Sequence, residues 1–163
     1  MKISCLLRVS IKRKPLAELL SATRLPYFGA YDKSTLARFG SRKGKPLGYS
    51  GFSCRASVKE WDDFPGQVAD AIKFLRRHRA ALQKLRDEFD GLEIQLDFPY
   101  FLRIGTKNIC VQWDSLPPAL ISLAGELGVG IMMSLYPSRR SARQWAKIND
   151  YAAGRIPVSC RAG

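Results

Sequence analysis

The chain has few acidic residues, a single histidine and no long apolar run. Its 163 residues include 14 Asp and Glu against 27 Lys and Arg. No stretch approaches the roughly 18–20 consecutive apolar residues of a membrane-spanning helix. A secretory signal needs an apolar segment of roughly 7–15 residues, and Arg8 interrupts the run that begins at Ile3. We therefore expect a soluble, cytoplasmic protein without integral membrane association.

The cysteines are also too scattered to indicate a metal site or a disulfide framework. Cys5, Cys54, Cys110 and Cys160 lie far apart, and no C-x-x-C pair occurs. Structural zinc sites usually show paired ligands at short spacing. The sequence therefore predicts reduced, buried cysteines that behave as small hydrophobic side chains. We expect neither a metal nor another cofactor.

No motif of a known catalytic chemistry is present. Residues 40–46, GSRKGKP, have three residues between their glycines instead of four, and a proline where a phosphate-binding loop has Ser or Thr. The arginines beside His78 disfavour its protonation, and no carboxylate or nucleophile near it in the sequence would make it a catalytic base. The acids at 62–63 and 87–88 flank a predicted helix, which suits capping. We expect a protein that is not an enzyme.

The positive charge is concentrated towards both ends of the chain. Residues 1–60 carry a net charge of +10 and residues 138–163 a net charge of +5, whereas residues 61–100 carry −2 and residues 101–137 are neutral. A field of this size attracts acidic macromolecules, but it determines neither a fold nor a reaction.

Hydrophobic periodicity predicts alternating strands and helices. Strands are predicted at 3–9, 36–39, 49–58, 92–98, 109–113 and 129–136, and helices at 16–22, 67–89, 116–127 and 138–151. Residues 24–34, rich in proline, glycine and aromatics, are predicted to form a loop. This order indicates an α+β fold, with a mixed, largely antiparallel sheet and helices packed on one face. We expect one domain over residues 1–137 and a basic C-terminal extension over 138–163.

Two sets of residues are candidate contacts for a partner. An acidic protein is the favoured partner, and five cations would serve as its charge donors: Arg42, Lys43, Lys45, Arg76 and Arg77. The alternative partner is single-stranded RNA or DNA, whose bases stack on aromatic side chains between basic groups. Its candidate contacts are Lys12, Arg13, Lys14, Tyr27 and Tyr31.

Several short motifs, in this element order, resemble a bacterial domain-of-unknown-function family, number 4279. The matching features lie within residues 3–137 and are Ile3–Val9, Leu19-Leu20, Gly40–Pro46, Ser50-Gly51-Phe52, the long helix to Leu85, Leu92–Phe98, Leu120–Leu127 and Leu135-Tyr136. The resemblance implies a partner-binding domain, comparable to an immunity protein, without an established reaction. Two positions depart from the family pattern, because Phe52 stands where Trp is usual and Ser134 where Asp is usual.

Overall fold

The structure is a computed structural model that describes residues 4–12, 14–37, 43–102 and 112–137. This part of the chain forms four helices and five strands. In chain order they are β1 (Leu6–Ile11), α1 (Leu16–Ala22), β2 (Tyr27–Tyr31), β3 (Ser50–Arg55), α2 (Phe64–Arg77), α3 (Arg79–Glu88), β4 (Glu93–Leu102), α4 (Pro118–Glu126) and β5 (Gly130–Pro137).

The five strands form one mixed sheet in the order β2-β3-β1-β4-β5. Strand β1 lies at its centre and pairs antiparallel with both β3 and β4. Strand β2 pairs antiparallel with β3 at one edge, and β5 pairs parallel with β4 at the other. The parallel pair is connected through α4, because a parallel connection needs a crossover. The predicted α+β fold with a largely antiparallel sheet is thus confirmed.

The two faces of the sheet differ in character because side chains alternate along each strand. In β1, Leu7, Val9 and Ile11 are buried in the hydrophobic core, while Arg8 and Ser10 point to the opposite face. Side chains from all four helices pack into the same core as the apolar face of the sheet. The opposite face, which we call the open face, carries the polar side chains.

Helix α2 begins where the sequence supplies a cap and a proline. The side chain of Asp63 accepts a hydrogen bond from the backbone N–H of Gly66 at 2.9 Å, and Pro65 lies in the first turn. A carboxylate satisfies an otherwise unpaired amide there, and proline tolerates the position because it has no N–H to lose. The acids before this helix therefore include a true cap, as the sequence indicated.

The predicted continuous helix over 67–89 is wrong, because α2 and α3 are separated at His78. That residue has φ −104° and ψ 14°, outside the helical range. The apolar stripe nevertheless continues across the break, since Leu75 before it and Leu82 and Leu85 after it are all fully buried. Periodicity alone does not reveal the break, because both helices present the same stripe to the core.

The predictions for residues 24–39 are also corrected. Residues Tyr27–Tyr31 form strand β2 rather than part of a loop, because they pair with β3. The predicted strand at 36–39 is reduced, within the described residues, to a single bridge between Leu36 and Pro46. The proline and glycine of residues 24–34 predicted a loop, but pairing with β3 makes part of this segment a strand.

Strand β4 is longer than the sequence indicates, because it continues through Pro99 to Leu102. Its pairing with β1 ends at Asp97, so the proline lies beyond that ladder, where a strand tolerates the loss of an N–H. The predicted hairpin partner at 109–113 falls mainly outside the described residues, and Gln112 and Trp113 are not in a strand. The predicted helix at 138–151 and the C-terminal extension lie outside the described residues too.

Candidate functional site

The connection between β2 and β3 carries a dense cluster of cations. We call residues 33–48 the basic arm; it contains five Lys and Arg and no Asp or Glu. Three backbone hydrogen bonds of 2.9 Å join the two sides of the arm. They run from the N–H of Gly48 to the carbonyl of Lys33, from Leu47 to Thr35 and from Ala37 to Lys45. The described part of the arm is therefore held by its own backbone, which leaves its side chains available.

Asp32 ties the base of the basic arm to the rest of the fold. Its Oδ1 accepts from the backbone N–H and the hydroxyl of Ser34, at 3.1 and 3.0 Å. Its Oδ2 accepts from the N–H of Leu16 at 3.2 Å and from the hydroxyl of Ser50 at 3.3 Å. These bonds, the Ser34 amide first and the Leu16 amide next, lower the pKa of Asp32 to about 2. The carboxylate is thus charged at neutral pH and joins α1, β3 and the basic arm.

The lysines of the basic arm have no acidic partner in the described part of the chain. Lys33, Lys43 and Lys45 are exposed and form no ion pair there. Four cations elsewhere form ion pairs, namely Arg8 with Asp97, Lys14 with Glu18, Arg79 with Glu126 and Lys84 with Glu88, whereas others such as Arg24 and Lys59 form none in the described part of the chain. Arg42, the third predicted cation of the arm, lies outside the described residues. The described lysines of the arm therefore remain available to an external acid.

The other two predicted charge donors lie on a helix. Arg76 and Arg77 are exposed in the last turn of α2. Arg77 lines a shallow cleft together with Arg55, Lys73 and His78, and no residue of the basic arm lines this cleft. The predicted acidic-protein contacts therefore belong to two different elements of the fold.

The predicted nucleic-acid contacts are divided as well. Lys14 is paired with Glu18, and Arg13 lies outside the described residues. The Tyr27 ring lies 5.8 Å from the Phe52 ring, and the Tyr31 ring meets Tyr49 edge-on at 5.6 Å. Each ring therefore contacts one other ring, but Tyr27 remains 46% exposed.

Lys12 and Tyr31 come together at a cavity on the open face that sequence reasoning did not identify. We call it the open-face cavity; its volume is about 450 Å³. Its lining residues come from β1, β2, β4, β5 and the turns beside them: Arg8, Ser10, Ile11, Lys12, Tyr31, Tyr49, Gly91, Glu93, Gln95 and Met132. The alternation of polar residues in β1 and β4 was the available signal, because it places them together on the face opposite the core.

A buried carboxylate orients Arg8 at this cavity. The Nε and Nη2 of Arg8 donate to Oδ2 of Asp97 at 3.0 and 2.6 Å, and the hydroxyl of Ser134 donates to Oδ1 at 2.6 Å. The side chain of Asp97 is 6% exposed and that of Arg8 is 45% exposed. The carboxylate therefore holds one edge of the guanidinium, and the remainder faces the cavity. Ser134 completes this network.

Gly51 leaves room for the Tyr31 side chain to lie across the open face. A Cβ at this glycine would overlap the carbonyl oxygen of Val9 and come within 2.6 Å of the Tyr31 hydroxyl. Burial, and then the neighbouring Tyr49, raise the pKa of Tyr31. Its hydroxyl therefore stays protonated at neutral pH and serves as a hydrogen-bond donor at the cavity.

Burial disfavours the charged forms of the two described cysteines and of the histidine. Cys5 and Cys54 are free and buried, as predicted; burial raises the pKa of Cys5 strongly and that of Cys54 to about 12. Burial and the adjacent Arg77 lower the pKa of His78, whose ring lies 4.5 Å from that of Phe74. Among the described residues, no three His, Cys, Asp or Glu side chains gather as metal ligands would. No helix in this part of the chain is long and apolar enough to cross a membrane.

The comparisons with known proteins yield no relative. No family model, no curated protein and no solved structure matches the chain.

Proposed function

We propose that this chain is a non-enzymatic binding protein that holds an acidic protein partner through its basic arm. The observation that carries the proposal is the lack of acidic partners for Lys33, Lys43 and Lys45 among the described residues. Exposed cations gain little from intramolecular pairs, but a set of like charges on one connection steers a partner of opposite charge. A cytoplasmic location is part of this proposal.

An acidic protein suits the basic arm better than a nucleic acid does. Leu36 lies in the arm and is 56% exposed, which adds an apolar contact of the kind that protein interfaces use. Of the rings predicted to stack on bases, Tyr31 is partly buried and meets Tyr49 edge-on, and it lies in β2, outside the basic arm. In an immunity-like role, as the resemblance to family 4279 implies, the neutralised target would present an acidic surface. Membership of that family is likewise a proposal.

Charge reversal in the basic arm tests this function. The variant Lys43→Glu with Lys45→Glu is compared with Arg24→Glu with Lys59→Glu, which changes the net charge equally at exposed, unpaired positions of the described chain. Binding of fluorescent poly-L-glutamate is measured by anisotropy, with oligo-dT of equal charge in parallel. We expect the arm variant to weaken poly-L-glutamate binding by at least about tenfold and the control by less than about threefold.

Two results would refute the proposal. Equal losses in the arm variant and the control would mean that overall charge, not the basic arm, attracts the polyanion. Tight, steeply salt-dependent binding of oligo-dT without binding of poly-L-glutamate would favour the nucleic-acid alternative instead.

A further inference from the structure

The open-face cavity presents hydrogen-bond donors on one side. Arg8 has five N–H donors, and Asp97 accepts two of them, so three remain. Lys12 lines the cavity and forms no ion pair in the described part of the chain. Both cations line the cavity, and the free N–H groups of Arg8 suit the oxygens of a carboxylate.

The neighbouring strand supplies an acid. Glu93 of β4 lies directly across from Ser10, and Gln95 lies directly across from Arg8. Adjacent strands are about 5 Å apart, so the carboxylate of Glu93 and the cations of β1 flank the same space. Glu93 forms no ion pair among the described residues. The cavity therefore has a cationic side and an anionic side, neither of them neutralised by the other.

The charges of the cavity nearly cancel. Asp97 balances Arg8, which leaves Lys12 and Glu93 as one charge of each sign. A dianion such as a phosphate monoester would meet only one uncompensated cation there. A ligand with one positive and one negative group satisfies both sides.

The remaining wall has an aromatic part and a polar part, the latter formed by Ser10 and Gln95. Tyr31 and Tyr49 meet edge-on at one side, and Met132, which is 38% exposed, also lines the space. The volume of about 450 Å³ equals the liquid volume of about fifteen water molecules at roughly 30 Å³ each. It lies within the range of about 300–1,000 Å³ found for small-molecule sites. The cavity thus accommodates an amino acid with a large side chain.

We propose that the open-face cavity binds a free amino acid with an apolar or aromatic side chain. Arg8 and Lys12 hold its carboxylate, Glu93 holds its ammonium group, and Tyr49 and Met132 contact its side chain. Asp97 is a positioning residue, since it acts by orienting Arg8. This site is separate from the basic arm and does not depend on the proposed partner.

Isothermal titration calorimetry of the full chain with three related ligands tests the proposal. The ligands are L-phenylalanine, 3-phenylpropionate, which lacks the ammonium group, and phenethylamine, which lacks the carboxylate. We expect L-phenylalanine to bind with a Kd of about 1 mM or tighter and each truncated ligand to bind at least about tenfold more weakly. Equal affinity for all three would overturn the proposal, as would an absence of binding by every standard amino acid at about 10 mM.

Cavity variants assign the two ends of the ligand. Lys12→Gln should weaken L-phenylalanine and 3-phenylpropionate about fivefold, and Glu93→Gln should weaken only L-phenylalanine. Lys45→Gln, in the basic arm, is the matched control and should change neither Kd, so failure here is distinct from failure of the proposed partner binding. Loss of L-phenylalanine affinity in the control, or none in either cavity variant, would contradict the assignment.

Discussion

The basic arm and the open-face cavity use cations in opposite ways. Lys43 and Lys45 are exposed and have no acidic partner in the described chain, and backbone hydrogen bonds join the two sides of the connection that carries them. Arg8 is held at one edge by a carboxylate that is 6% exposed. The first arrangement favours long-range attraction and tolerates many partners, whereas the second restricts where an anion can lie. Positive charge is therefore unpaired and hydrated in one region and held in a fixed orientation in the other.

The difference arises from what each cation lies beside. An exposed lysine remains hydrated, so its interactions are weak and sensitive to salt. An arginine in the central strand lies next to a buried carboxylate that also accepts the hydroxyl of Ser134. A buried carboxylate without a hydrogen-bond donor would cost free energy. The native structure therefore favours the one orientation of Arg8 in which its N–H groups donate to Asp97.

The largest expected effect on the open face comes from filling the space that Gly51 leaves for Tyr31. Gly51→Ala should reduce the free energy of unfolding by about 3 kcal/mol, because the new Cβ would overlap a backbone oxygen that the sheet holds in place. Gly29→Ala is the matched control in the neighbouring strand, where nothing lies within 4 Å of the added atom. Urea unfolding followed by circular dichroism measures both. Similar losses in the two variants would show that the open face is not closely packed at Gly51.

The next largest effect concerns the orientation of Arg8. Asp97→Asn should lower the free energy of unfolding by about 1.5 kcal/mol, because charge-assisted hydrogen bonds from Arg8 are lost at a buried position. The control Glu18→Gln removes an exposed pair with Lys14 and should cost at most about 0.5 kcal/mol. If urea unfolding shows the same loss of free energy for both variants, the contrast between the oriented Arg8 and the exposed cations would be refuted.

The smallest effect concerns the anchoring of the basic arm by Asp32. Its pKa in the folded protein, about 2, is below the ordinary value of 3.8. Its contribution to stability is therefore present above about pH 4 and is lost as the pH falls through about 2. Asp32→Asn should lower the urea midpoint at pH 7, and its difference from the natural chain should shrink between pH 4 and pH 2. A difference that does not vary with pH would mean that the charge of Asp32 is not what anchors the arm.

Much of the fold was predictable because its elements are amphipathic. The alternation of Leu92, Ile94, Leu96 and Phe98 identified β4, and Pro65 after an acidic pair indicated the start of α2. Strand β2 was missed because its residues resemble a loop until β3 pairs with them. The break at His78 was missed because the apolar stripe continues across it.

The candidate sites were predictable to a different extent. The basic arm follows from composition alone, since five cations without an acid form a charged surface in almost any conformation. The open-face cavity does not follow from composition, because Arg8, Tyr31, Tyr49 and Glu93 are up to 85 positions apart in the sequence. Only pairing in the sheet, which places Ser10 beside both Gly51 and Glu93, brings them together.

The amino-acid sequence by itself determined the class of fold, the buried thiols and the excess of positive charge, because these depend on local pattern and composition. The tertiary structure decided which cations stay free and which one is oriented. Ion pairs such as Arg8 with Asp97 join residues 89 positions apart, and no local pattern specifies such a contact. The order and register of the strands bring these two residues together, and the packing of one sheet face against the helices fixes that register.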